Sequence, residues 1–202
     1  MQKLAIEKVN FSSITVSDAL MEAKSEVRNL GSWFDSHLNM SIHISKLCDS
    51  AFCHLYYIGR IRKFLSSVAT KALVHAFATS SVDYCNSRLY GLPATQINKV
   101  QLVLNAVARL VSHAPRYCHF TPFSLELHWL PVRQRINYNI LLLTFKTIHG
   151  KSPVYLQELI SVNLLGAYRL RSSSKGLLLE RPSFQTRATL GDRSSKVAAP
   201  KL

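Results

Sequence analysis

The residues able to do chemistry in this chain are few, and their spacing narrows what they can do. Eleven Asp and Glu are spread over 202 residues, with none between Asp49 and Asp83 and none between Asp83 and Glu126. Two-metal and paired-carboxylate mechanisms need acids close together. The nearest pair, Glu22 and Glu26, is one helical turn apart and reads as a solvated face. Eight His and four Cys are present, but no Gly-x-Ser-x-Gly elbow or papain-like Cys context accompanies them. Zinc would recruit Cys48, Cys53 and His54, or Cys118 and His119, yet without a Cys-x-x-Cys the usual first half of such a site is missing. Cys48 reads instead as a small buried residue and Cys53 as a helix-border one. The seven Gly are isolated, so no phosphate-cradling loop is expected. The expectation is no catalytic residue, no metal ligand and no cofactor in this chain.

Cations carry more information. The chain has 25 Lys and Arg, a formal charge of +14 and a pI near 9.9. Charged residues are only 18% of the total, so the basicity comes from missing acids. Such a balance favours an anionic partner, nucleic acid being the commonest. Arg60, Arg62 and Lys63 close a helical segment, with Tyr56 and Tyr57 one turn earlier. A helix C-terminus attracts cations through its dipole. The same group also suits phosphate tracking beside aromatic stacking platforms. Arg133 and Arg135 fall in the first turn of a later helix, where the dipole disfavours them. An anion must therefore be held there. Glu126 is the internal candidate and a nucleic-acid phosphate the external one.

These residues need elements to position them. Val27 to Asp35 reads as strand, turn and strand, a hairpin too small to stand alone, with a short helix around Ala19 to Lys24 beside it. From Ser41 the period becomes helical, with Ile44, Leu47, Ala51, Leu55, Ile58 and Leu65 on one stripe and Gly59 inside it. A second helix after Ser66-Ser67 carries Leu73, Phe77, Ser80 and Tyr84 and ends at Gly91-Leu92-Pro93. A third carries Ile97, Val100, Leu104, Val107 and Val111, with Asn98, Gln101, Asn105 and Arg109 opposite. A short helical piece near Phe123 to Leu127 precedes a helix from Pro131 to His149, stopped by Gly150. Ser152-Pro153 opens a last short helix to Ile160. The remaining 42 residues hold eight Lys or Arg, two acids and seven Ser. They read as an extended basic tail, with a short hairpin around Leu177 to Leu179.

The fold class is thus mainly α, with an N-terminal β-hairpin, a three-helix bundle, further short helices and an extended basic C-terminal tail. The segments are 1–38 (hairpin), 39–114 (bundle), 115–160 (second helical segment) and 161–202 (tail). Four irregularly spaced Cys make no disulfide framework, and the N-terminus has no signal-peptide pattern. No apolar run approaches a membrane span. An intracellular setting, nucleus or cytoplasm, follows as the expectation.

Several segments, taken in order, resemble one family. Leu30-Gly31-Ser32-Trp33-Phe34-Asp35 is similar to the "LGV-x-F-D" hairpin that follows the catalytic palm of non-LTR (LINE-type, jockey-like) retrotransposon reverse transcriptases. Leu73-Val74-His75-Ala76-Phe77, Asp83-Tyr84-Cys85-Asn86-Ser87 and Leu89-Tyr90-Gly91-Leu92-Pro93 resemble its "LVHAF…DYCNSLLYGLP" stretch. Ile97-Asn98-Lys99-Val100-Gln101, with Asn105-Ala106 and Ala108-Arg109-Leu110-Val111, resembles its "I-x-KLQ…QNAAARLV" helix. Leu127-His128-Trp129-Leu130-Pro131-Val132-Arg133 resembles "LHWLPV-x-x-RI". Gly191-Asp192-Arg193 and Ala198-Ala199-Pro200-Lys201-Leu202 resemble the tail "GDRSF…AAPKLWN".

The resemblance implies the thumb-like and post-thumb part of an RNA-directed DNA polymerase. The family's adjacent catalytic Asp pair, with its Mg²⁺, would lie upstream in a missing palm, as would the endonuclease. Ser32 sits where an aliphatic is usual, Leu102 where Arg is typical and Ser195 where an aromatic is usual, as in a decaying genomic copy. On this reading the chain is not an enzyme as it stands. It would hold template RNA or an RNA–DNA duplex against the palm, through Arg60, Arg62, Lys63, Lys71, Lys99, Arg109, Arg133 and Arg135 as phosphate contacts. The alternative is a helical interaction module, or an orphan retroelement-derived reading frame without activity.

Overall fold

The computed structural model describes residues 13–16, 19–22, 24–115, 117–160, 179 and 195–201. The chain separates into two compact units, Met1–His43 and Ile44–Leu202.

The first unit holds two separate antiparallel pairs. Strand β1 (Ser13–Val16) pairs with β2 (Ala19–Glu22), Ser13 opposite Glu22, and β3 (Glu26–Asn29) pairs with β4 (Ser32–Asp35), Glu26 opposite Asp35. The second pair is the expected hairpin. Its two-residue turn, Leu30-Gly31, has both φ angles positive, +45° and +82°. That geometry matches the right-handed twist of the flanking strands, and Gly31 adopts it without steric cost. The helix expected around Ala19 to Lys24 is not formed. Ala-Leu-Met-Glu favours helix locally, but the β-branched run Ile14-Thr15-Val16 offers it a strand partner, and pairing overrides propensity. After β4 the Asp35 carboxylate accepts from Asn39 N–H (3.1 Å) and Met40 N–H (3.0 Å), fixing the approach to the first helix.

Helix α1 (Ser41–Ile61) buries Ile44, Cys48, Ala51, Leu55 and Ile58; of the predicted stripe, Leu47 is half-buried beside Cys48, and Leu65 lies beyond the helix and is half-buried. A 3-10 turn (Arg62–Phe64) continues it. Ser66 caps α2 (Ser67–Val74), its hydroxyl accepting from Ala69 N–H at 3.2 Å. Helix α2 then widens into a π turn (His75–Thr79) before α3 (Ser80–Asp83). Here the buried face differs from the expected one. Thr70, Val74, Ala78 and Val82 face the core, whereas Phe77, Ser80 and Tyr84 are exposed. The i→i+5 turn is wider than an α turn, so residues four apart keep to one side. Phe77 stacks on His54 instead, ring centroids 5.2 Å apart.

After a 3-10 turn (Asn86–Leu89), α4 (Ala94–Val111) buries all five predicted residues together with Val103 and Ala108. Short helix α5 (Thr121–Glu126) precedes α6 (Val132–Ile148), whose Val132, Ile136 and Ile140 enter the same core. Gly150, at φ +65°, ends it. Helix α7 (Val154–Gln157) has Pro153, not the expected Ser152, at its cap position, and it ends before the expected Ile160. The Ser152 hydroxyl is buried and makes no cap hydrogen bond among the described residues.

The tail is not extended throughout. Helix α8 (Ser195–Ala198) and a 3-10 turn (Ala199–Lys201) close the described chain, and Ala198 and Ala199 are buried. Two small apolar residues in succession make a stretch that can dock without voids. The hairpin expected around Leu177 to Leu179 lies outside the described residues except for Leu179.

Candidate nucleic-acid interface

The polar side chains divide into those that tie helices together and those that face outward. The ties converge on the start of α6. Gln101 of α4 accepts from Val132 N–H through Oε1 (2.9 Å) and donates through Nε2 to Asn105 Oδ1 (2.8 Å). A side chain from another helix thus satisfies one of the free N–H groups at the α6 N-terminus. Arg135 Nη1 reaches both oxygens of Asp83, at 2.7 and 3.0 Å, while its Nε donates to Leu130 O at 2.7 Å. Its guanidinium also lies 5.9 Å from the Trp129 ring centroid. One turn on, Asn139 Nδ2 donates to Asn86 Oδ1 at 2.6 Å. Asp83 and Asn86 are brought together by Cys85, whose left-handed φ of +53° turns the chain sharply between them.

This settles which anion meets Arg135. It is Asp83, not Glu126, which is exposed. Sequence logic required an anion at this helix end, but its identity depends on a contact across 52 residues. Along the stripe opposite the apolar face of α4, Asn98 is exposed while Gln101, Asn105 and Arg109 are half-buried or buried. Asn105 is buried, and Arg109 Nε donates to Cys118 O at 3.2 Å, pinning the loop after α4.

Three of the eight expected phosphate contacts are adjacent in the chain. Arg60 lies at the end of α1, and Arg62 and Lys63 in the 3-10 turn that follows. Arg60 is braced by Tyr56: Nη1 donates to the phenol oxygen at 3.2 Å and the guanidinium stands 5.7 Å from the ring centroid. Lys63 Nζ is 4.8 Å from the Phe64 ring centroid. Tyr56 and Tyr57 meet edge-on at 5.6 Å. Lys71 on α2, Lys99 on α4 and Arg133 in the first turn of α6 are exposed, each on a different element. Arg109 and Arg135 are committed to internal partners. Phe64, not among the residues expected from sequence, is 78% exposed. Its signal was available: Tyr57, Ile61 and Phe64 are spaced four and three, the helical repeat of one face.

Burial pushes the Cys48 thiol above its ordinary value, neighbouring Asp49 adds to this and Lys99 counteracts it. Cys48 is thus a core residue whose burial disfavours the thiolate. Among the described residues no three His, Cys, Asp or Glu gather as a metal-binding group. Asp83 has both carboxylate oxygens engaged by Arg135. No helix of the described residues is long and apolar enough to cross a membrane. The chain matches no protein-family model, no curated protein and no solved structure.

Proposed function

We propose that this chain is a non-catalytic part of a non-LTR retrotransposon reverse transcriptase that holds template RNA or the template–primer duplex through backbone phosphates. The observation that carries the reading is the end of α1. There Arg60, Arg62 and Lys63 stand beside exposed Tyr56, Tyr57 and Phe64, in a stretch without any acid from residue 50 to 82. Cations next to aromatic faces, with no carboxylate in the same stretch of sequence, bind the sugar-phosphate chain largely regardless of sequence. The polar residues of the family-like segments, Asp83, Asn86, Gln101 and Asn105, serve the fold. Nucleotidyl transfer, and the Mg²⁺ it uses, would belong to the upstream palm.

Filter binding of the whole chain to RNA and to RNA–DNA duplex across salt concentrations tests this. Affinity should fall steeply with salt, log K dropping by about 2 or more per decade if three cations each release a counterion. Absence of binding at low salt overturns it. That outcome favours a helical interaction module, for which the exposed Tyr138, Leu141 and Phe145 of α6 speak.

A further inference from the structure

At the end of α1 two exposed stripes run side by side. Tyr56, Arg60 and Lys63 are spaced four and three residues apart, and so are Tyr57, Ile61 and Phe64. On a helix, that spacing sets each trio along one face. The first stripe is polar and cationic. The second is apolar yet lies in solvent: Tyr57 is 60%, Ile61 47% and Phe64 78% exposed. Burying such residues normally drives folding, so leaving two aromatics out of the core here has a cost that a ligand would recover.

A double helix presents phosphates and groove edges but keeps its base faces stacked inside. It can satisfy Arg60 and Lys63 and leaves Tyr57 and Phe64 unused. An unpaired strand offers both a phosphate chain for the cation row and free base faces for the aromatic row. Arg60 is held in place by its hydrogen bond and ring contact with Tyr56, so little freedom is lost when it meets a phosphate. The charge complementarity is one-sided, since Asp49 and Asp83 bracket the segment at a distance and no acid lies between.

We infer that the end of α1 is a site for single-stranded nucleic acid, Arg60 and Lys63 contacting phosphates while unpaired bases stack on Tyr57 and Phe64. This rests on the nucleic-acid-holding reading above and narrows it to the unpaired strand.

The test uses the full chain and three labelled probes: a uridine homopolymer of RNA, the same length of RNA–DNA hybrid, and double-stranded DNA. Anisotropy titrations at low salt compare wild type with Tyr57→Ala/Phe64→Ala. The expected result is a loss of about thirtyfold or more on the single strand, from two lost stacking contacts. Hybrid and duplex affinities should change less than twofold. Equal losses on all three probes, or no loss on any, overturn the inference while leaving the broader reading standing. No binding of wild type to any probe overturns both. Both side chains are exposed, so circular dichroism should show an unchanged fold. A second variant, Tyr57→Trp, gives an independent readout. Its added indole fluorescence should be quenched by the single strand and not by the duplex, and quenching by neither or by both counts against the site.

Discussion

Asp83 and Arg135 show what one charged pair does when helix dipoles would keep it apart. Arg135 stands in the first turn of α6, where the helix end already carries partial positive charge. The Asp83 carboxylate offsets both charges. The Arg135 side chain is 14% exposed and that of Asp83 39%, so water screens the pair only from one side. Arg135→Gln should therefore lower stability by about 1–2 kcal/mol in urea unfolding. Arg133→Gln, two residues earlier and exposed, should change it by less than about 0.5 kcal/mol. A double-mutant cycle with Asp83→Asn isolates the pair, and a coupling near zero would reject it as the tie that holds α6. The demand for an anion was legible from sequence, because dipole and position alone impose it. Which anion answers was not, because Asp83 reaches Arg135 only after α3 and α6 have packed. For the same reason Arg109 looked like a free cation until its contact with the Cys118 carbonyl was seen.

At the scale of elements, periodicity was informative wherever one regular helix meets one core. It placed α1 and α4 and most of their buried residues, since the burial of a stripe and its spacing are the same fact, whereas α6 was bounded by Pro131 and Gly150 without a predicted buried face. It failed where geometry departs from 3.6 residues per turn. Along α2 and α3 the buried residues are Thr70, Val74, Ala78 and Val82 and not Leu73, Phe77, Ser80 and Tyr84; the π turn at His75–Thr79 keeps that four-residue spacing on one side, and no local propensity signals such a turn. It failed also where a partner strand outweighed local preference, as in β2. Gly59 is a further case. It invites the reading of a close helix contact, yet a Cβ there would meet only Leu110 Cδ1, at an ordinary 3.7 Å. Nothing in the packing requires glycine at this position. Gly59→Ala should stabilise the chain by about 0.5–1 kcal/mol through helix propensity, seen as a higher urea midpoint at unchanged slope. A lower midpoint would mean that α1 approaches its neighbour more closely than 3.7 Å allows.

For the whole molecule, a formal charge of +14 says that anions are attracted but not where they bind. The structure sorts the cations by what they are already doing. Arg109 and Arg135 hold the fold, whereas Arg60, Lys63, Lys71, Lys99 and Arg133 face outward or brace an exposed ring. A phosphate contact releases counterions and so contributes to the salt slope of binding, by about 0.7 per contact on a single strand and 0.9 on a duplex. A cation engaged inside the protein contributes none. Arg60→Gln/Lys63→Gln should therefore lower the slope magnitude by about 1.4 on single-stranded RNA without changing the unfolding midpoint. Arg109→Gln and Arg135→Gln should do the reverse, lowering the midpoint and leaving the slope as it was. Net charge falls by two in the first variant and by one in each of the others, so a diffuse attraction to the whole molecule would lower every slope in proportion to charge. A slope that follows charge alone would locate binding nowhere in particular. A slope that moves only with Arg60 and Lys63 locates it at the end of α1.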